Sequence, residues 1–388
     1  MTTRIRDVRA RLVELPYPRP FHPSWAPEGG HRAMSAVIVE VETEDGIVGV
    51  SGGDMGHGTG PMLLETIRTW LRPALVGLDV LATTGIANRL RYVAEYVFPR
   101  PWVVGVAVWD AVGKACGRPL HQLWGGERTA IRAYASFGEV RDRHQRADDA
   151  LQVVAEGFTG IKLRVHADTI AEDVAQVAAV REAVGPDVTL MVDANQAAAS
   201  WRYRPDGSRM IWDFERALTT AREFADLGVA WLEEPLGRHD YRSQRELTAA
   251  SPIPIAGGEH NRGLGQLVRL LEDDCFSIYQ PDANESEEIG ALRMFGMMAA
   301  ARQRKVIPHA WATGLGVAGN LQLCASLPNC DWLEYPYDPP VIVPEVFHVM
   351  LTRPLLPDAS GNVPLPEGPG IGVELDHAAI EPLTVQQV

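Results

Sequence analysis

The sequence predicts an α/β barrel joined to a smaller α+β domain, and three features carry that prediction. From about residue 130 to 336 the chain repeats a short apolar strand, a polar strand end and an amphipathic helix. Eight strands of this kind can be picked out, which favours a closed barrel over an open sheet. The 388 residues, 46% of them hydrophobic, can bury a large core and leave material for a companion domain.

Residues 1–128 form the first unit, an α+β domain that opens on SAVIVEVET, a DG turn and IVGVSGG. VVGVAVWDAVGKACGRPLHQLWGG then reads as a helix reaching Gly117 and Pro119, followed by a short helix that ends at paired glycines. The barrel spans 129–340, with strands IRAYAS, FTGIKLRV, DVTLMVDA, VAWLEE, IPIAGGE, FSIYQPD, KVIPHA and DWLEY. Between them, Ile170, Val174, Val177 and Val184 fall at helical spacing, and SEEIGALRMFGMMAAARQR behaves likewise, so these helices make the outer ring. The segment 341–388 is rich in Pro and Gly and is expected to run back to the first domain. SWRYRPDGSRMIW exceeds the usual connection of about 2–6 residues, which marks a functional loop or an oligomer contact. SGGDMGHGTG lacks a convincing strand-to-helix frame and reads as a flexible loop rather than a dinucleotide-binding turn.

Composition narrows the function. A net charge of −14 with no basic stripe excludes nucleic acid as a partner. No apolar run approaches the roughly 20 residues that span a bilayer, and MTTRIRDVRARLVELPYPRP lacks the apolar stretch of a signal peptide, so a cytoplasmic protein is expected. Cys116, Cys275, Cys324 and Cys330 show no metal spacing and read as packing residues. A symmetric homo-oligomer is the ordinary expectation for such an enzyme.

The strand ends carry the chemistry. Alternation along a strand places Ile161, Leu163 and Val165 under the helices and turns Lys162 and Arg164 into the barrel. The same parity turns Asp193 and Asn195 inward, and the next two strands end in Glu233 and Glu259. Three successive strands thus deliver a carboxylate to one rim, and hard oxygen donors without cysteine suit Mg²⁺ better than Zn²⁺. Asp282, His309 and Glu334 end three further strands; a carboxylate beside an imidazole gives a base that can return its proton as an acid. Removing a proton next to a carboxylate leaves a doubly negative intermediate. Two unit charges about 4 Å apart interact by about 4 kcal/mol at an effective dielectric of about 20, and a divalent ion offers roughly twice that. Glu334, if protonated, could donate a hydrogen bond to the second carboxylate oxygen.

These motifs resemble the enolase superfamily, and within it the mandelate racemase and acid-sugar dehydratase group. The resemblance covers nearly the whole chain: the VWDAVGK helix with G-x-P and LWGG, the K-x-R strand, DAN, EEP, GGE, PD, PH, LE and the terminal GPGIG. It implies a (β/α)7β form of the TIM barrel, capped by the N-terminal domain and completed by the C-terminal segment. It also implies metal ligands at Asp193, Glu233 and Glu259, a His309–Asp282 dyad on one substrate face, and Glu334 as a hydrogen-bond donor. A Lys or His base working with Mg²⁺ is a standard example for this superfamily.

The group usually carries K-x-K on the second strand, its second lysine being the opposing base, but here that position is Arg164. Arginine stays protonated, which disfavours a racemase with two symmetric bases. Arg164 is expected to hold a substrate carboxylate or hydroxyl, or else to form a structural ion pair. Lys162 is a reserve base if burial lowers its pKa. By the family pattern, loops of the first domain close over the barrel, which makes His22, Trp25 and His57 candidates for substrate contact beside Asn195. The expected activity is Mg²⁺-dependent dehydration of an acid sugar to a 2-keto-3-deoxy acid. The alternatives are a cycloisomerase or epimerase acting on a related carboxylate or lactone, and a non-catalytic sugar-acid-binding protein.

Overall fold

The computed structural model describes residues 3–25, 30–99, 101–197 and 212–388. The N-terminal sheet is antiparallel. Strands β1 (Ile5–Phe21), β2 (His31–Thr43) and β3 (Val48–Asp54) pair in sequence. The eight predicted barrel strands are all present: β4 (Ala130–Ser136), β5 (Gly160–Arg164), β6 (Thr189–Asp193), β7 (Val229–Glu233), β8 (Ile255–Gly257), β9 (Ile278–Tyr279), β10 (Lys305–Val306) and β11 (Leu333–Pro336). They curl into one sheet in the order β10-β9-β8-β7-β6-β5-β4-β11. Its two ends meet through the Val306 N–H on Asn329 O at 3.2 Å and the Ala310 N–H on the Glu334 carboxylate at 3.0 Å, rather than through a strand ladder.

A helix follows each strand from β4 to β10, and the one after β10, Gly314–Ser326, is buried along its whole length. The helix Ile170–Val184 starts on a capping box in which Thr169 and Glu172 bond each other's backbone N–H groups. It buries Val177 and Val180. The helix Ile289–Ala301 buries Ile289, Leu292 and Phe295 while Met294, Met297 and Met298 stay exposed. Inside the barrel, Tyr134, Met191, Trp231, Ala256, Ile278, Ile307 and Trp332 pack into a floor. Because inward residues alternate, the next inward positions on the same strands, Ser136, Asp193, Glu233 and Glu334 among them, stand above that floor.

The C-terminal segment returns as predicted. Strand β12 (Asn362–Pro364) pairs antiparallel with β4, and β13 (Thr384–Gln387) adds to β1 at the edge of the N-terminal sheet. Asp110 of the VWDAVGK motif fixes the junction. Its buried carboxylate accepts the Val50 N–H of β3 and the Ile371 N–H of the tail, each at 2.7 Å, and pairs with Lys114 at 2.7 Å. Gly370 has φ +76°, and a Cβ there would lie 2.0 Å from the Asp110 carboxylate. Gly370→Ala should therefore lower stability by about 3 kcal/mol, through strain and a displaced buried carboxylate, as read by urea unfolding.

The glycine-rich segment corrects an expectation. SGGD is the end of β3, and one 3₁₀ turn, Gly56–Gly58, leads into the helix Gly60–Thr66, so a strand and a helix do flank it. The strand is antiparallel, which leaves no crossover unit for a dinucleotide. Gly52 is small because Leu315 and Val37 O would lie 2.8 Å from a Cβ. Most of SWRYRPDGSRMIW lies outside the described residues. No helix among the described residues is long and apolar enough to cross a membrane.

His348 supplies a stability prediction. Its ring is buried against Phe347 and Tyr335, with centroids at 4.3 and 5.9 Å, and burial pushes its pKa down to about 3. The folded state thus binds this proton more weakly than the unfolded chain. Stability should fall by about 1.4 kcal/mol per pH unit below the ordinary histidine value, until the folded pKa is reached. Unfolding free energies of wild type and His348→Leu between pH 7 and 4 should differ by that slope.

Candidate active site

The polar strand ends converge at the C-terminal mouth of the barrel. One carboxylate oxygen each from Asp193, Glu233 and Glu259 lies within 4.8 Å of the others. All three side chains are buried, and each ends or follows a different strand, which is how a barrel gathers ligands that are distant in sequence. Glu259 Oε2 is buried with no hydrogen-bond partner among the described residues. Burial, with repulsion from Asp193 and Glu334, outweighs Lys162 and holds the Glu233 carboxyl up at about 7. Burial and repulsion from Glu234 bring Glu259 to about 7 against the pull of His309. A compact, buried, mutually repelling set of hard oxygens is the donor chemistry that fits a divalent cation.

The two cations on β5 are committed to these acids. Lys162 Nζ lies 2.7 Å from Glu233, 2.7 Å from Glu334 and 3.8 Å from Asp193. Burial lowers its pKa, but Glu233 and Glu334 outweigh that, so Lys162 is held charged. The reserve-base reading asked for a pKa lowered by burial, and the shift here runs the other way. Arg164 sits directly beside Asp193 in the β5–β6 register. Its Nη1 donates to Asp193 Oδ2, and its Nε donates to Phe137 O at 2.8 Å. The guanidinium faces the rings of Trp25 and Trp311 at 5.2 and 5.6 Å.

Opposite this group, His309 Nδ1 lies 2.8 Å from Asp282 Oδ2, and its Nε2 is 3.6 Å from Glu259 Oε2. Asp282 is itself steadied by the Asn284 N–H at 2.7 Å. Burial disfavours the imidazolium, yet Glu259, Glu334 and Asp282 together raise the pKa of His309 well above its ordinary value. Glu334 corrects an expectation. It accepts hydrogen bonds from Ser136 Oγ at 2.7 Å and the Ala310 N–H at 3.0 Å. Burial alone would raise its pKa, but Lys162, His309 and Arg164 pull it far below the usual carboxylate range. Both of its oxygens act as acceptors here.

The loop candidates divide. Trp25 stacks at the site as described. Asn195 gives its N–H and Nδ2 to Asp193 at 2.7 and 3.1 Å and accepts from Ser24 Oγ at 2.8 Å, so it braces the carboxylate and ties it to the N-terminal domain. His22 is exposed, its backbone N–H on Glu139 at 2.9 Å and its ring against Gly30. His57 lies in the 3₁₀ turn, and its side chain is outside the described residues.

Several site residues escaped the sequence reading. His260 lies 2.9 Å from Glu234 and 3.2 Å from Glu259. Strand parity sends Glu234 outward, but its φ of +44° turns it to the rim, and only the adjacent acidic and EH pairs hinted at this. Gln280 donates to Glu233 at 2.8 Å. Asn284 is buried with neither amide atom hydrogen-bonded among the described residues. Trp311 follows His309 by two residues and offered no signal beyond its size.

A barrel that sets three such carboxylates against a His–Asp pair defines a metal-dependent enzyme, and the comparisons say which kind. Residues 145–379 match the enolase C-terminal domain-like family, and residues 8–125 match the N-terminal domain of mandelate racemase and muconate lactonizing enzyme. The chain belongs to the enolase superfamily, in its mandelate racemase and muconate lactonizing enzyme group. It is 28% identical to an arabinonate dehydratase of Saccharolobus solfataricus over 90% of each chain. It is 29% identical to a D-galactarolactone cycloisomerase of Agrobacterium fabrum over 97% of this chain and 98% of that one. A racemase from Streptomyces coelicolor, solved with bound magnesium, superposes with a TM-score of 0.85 at 25% identity, covering 98% of this chain and all of that one.

Proposed function

We propose that the enzyme dehydrates an acid sugar to a 2-keto-3-deoxy acid with Mg²⁺ at Asp193, Glu233 and Glu259. The observation that carries this reading is the asymmetry of the two faces. His309 stands with Asp282 on one side, while the opposite position is an arginine bonded to Asp193. Bound Mg²⁺ would supply positive charge where the substrate carboxylate becomes an enediolate. His309 acts from its neutral form, taking the proton from the carbon next to the carboxylate, and Asp282 fixes its tautomer. The same imidazolium then gives its proton to the hydroxyl on the adjacent carbon. That C–O bond breaks, water leaves, and the enol product becomes the keto acid. Lys162, held between Glu233 and Glu334, offsets part of the negative charge at the mouth and takes no proton.

A cycloisomerase reading shares the proton removal and differs only in the group expelled, and the Agrobacterium relative supports it. Incubation with Mg²⁺ and a panel of mono- and diacid sugars, followed by a keto-acid assay, separates the two. Dehydration gives a keto signal with at least one sugar. No keto product from a broad panel would count against the reading, and lactone opening without one would favour cycloisomerisation.

A further inference from the structure

We propose that Arg164 and a divalent cation compete for the same oxygen of Asp193, so that cation binding hands the arginine from the metal site to the substrate and relays the change to Trp25 of the N-terminal domain. The inference rests on reading Asp193, Glu233 and Glu259 as the cation site. Asp193 Oδ1 is already bonded to the Asn195 N–H at 2.7 Å, and Oδ2 is where Arg164 Nη1 donates. A cation that takes Oδ2 meets the guanidinium there, and two positive charges at contact distance from one buried oxygen repel each other.

The arginine is mounted for such an exchange. Its Nε is anchored to Phe137 O at 2.8 Å, whereas Nη2 has only a long contact to Ser136 Oγ at 3.4 Å. Its faces lie against Trp25 and Trp311, whose rings are 5.0 Å apart and nearly perpendicular. Displaced from Asp193, it keeps the Phe137 anchor and frees Nη1 for an anionic or hydroxyl group of the substrate. A second route joins the same carboxylate to the N-terminal loop: Ser24 Oγ donates to Asn195 Oδ1 at 2.8 Å, and Asn195 Nδ2 donates to Asp193 at 3.1 Å. Cation occupancy and the seat of Trp25 are thus coupled, with the cation binding before the substrate.

The test is a Mg²⁺ titration of the full chain by calorimetry, with tryptophan fluorescence followed alongside. Arg164→Gln removes the competitor and should bind Mg²⁺ at least about tenfold more tightly, whereas Arg164→Lys, which keeps the charge, should stay within about threefold of wild type. A merely structural arginine that orients Asp193 predicts the opposite sign. Unchanged or weaker binding by Arg164→Gln, with Asp193→Asn still abolishing it, overturns this inference and leaves the cation site standing. No Mg²⁺ binding by wild type overturns both. If Arg164→Gln does not fold, Trp25→Phe decides: wild type should show a Mg²⁺-saturable fluorescence change that this variant loses. A change that survives Trp25→Phe overturns the coupling.

Discussion

His309→Asn is expected to abolish keto-acid formation, with a loss of at least about 10²–10⁴ in kcat, the usual contribution of a positioned general acid–base group. The fall should be steep because this one imidazole serves both half-reactions and nothing on the opposite face can replace it. Arg164 stays protonated, and Lys162 is kept charged by two carboxylates at 2.7 Å. Asparagine preserves the size and one donor of the ring, so the variant should fold and should still bind Mg²⁺ through Asp193, Glu233 and Glu259. Steady-state kinetics with calorimetry on the same preparation checks both halves. Retained dehydration would reassign the base.

Lys162→Met should produce the largest loss of stability. The lysine is fully buried and neutralises Glu233 and Glu334, and removing one partner of a buried ion pair costs about 3–5 kcal/mol because the remaining charge is uncompensated. Urea unfolding without metal should show that loss. Saturating Mg²⁺ should restore part of it, since a ligand that binds only the folded state stabilises by mass action and here supplies positive charge beside the stranded Glu233. A variant as stable as wild type without Mg²⁺ would mean that the acids carry protons rather than pair with the lysine.

Much of this site was legible because strand parity is a local rule. Alternation alone places Lys162, Arg164 and Asp193 inside the barrel, and all three are buried at its mouth; Asn195, expected inward by the same rule, lies past the strand end at φ +47° and reaches the mouth by leaving the strand conformation. What parity cannot supply is register. That Arg164 lies beside Asp193, and is bonded to it rather than open to a ligand, depends on how β5 and β6 slide against each other. The local rule also fails where the backbone leaves the strand conformation, as at Glu234. Contacts between distant elements, such as Trp25 over Arg164 or Ser24 on Asn195, leave no periodic trace in the sequence. The resemblance implies a donor at Glu334, whereas here Lys162, His309 and Arg164 draw its pKa down and its oxygens accept, an electrostatic outcome that no local pattern signals.

On the proposed mechanism one imidazole removes the proton beside a carboxylate while a magnesium ion steadies the charge. Proton NMR of acid sugars in D₂O tests it directly. With Mg²⁺ and wild-type enzyme, the resonance of the hydrogen next to the carboxylate should disappear or solvent deuterium should enter the keto-acid product, and neither should occur with His309→Asn or after chelation. Exchange that persists in both controls, or its absence from every carboxylate that binds, would rule out His309 as a metal-assisted base.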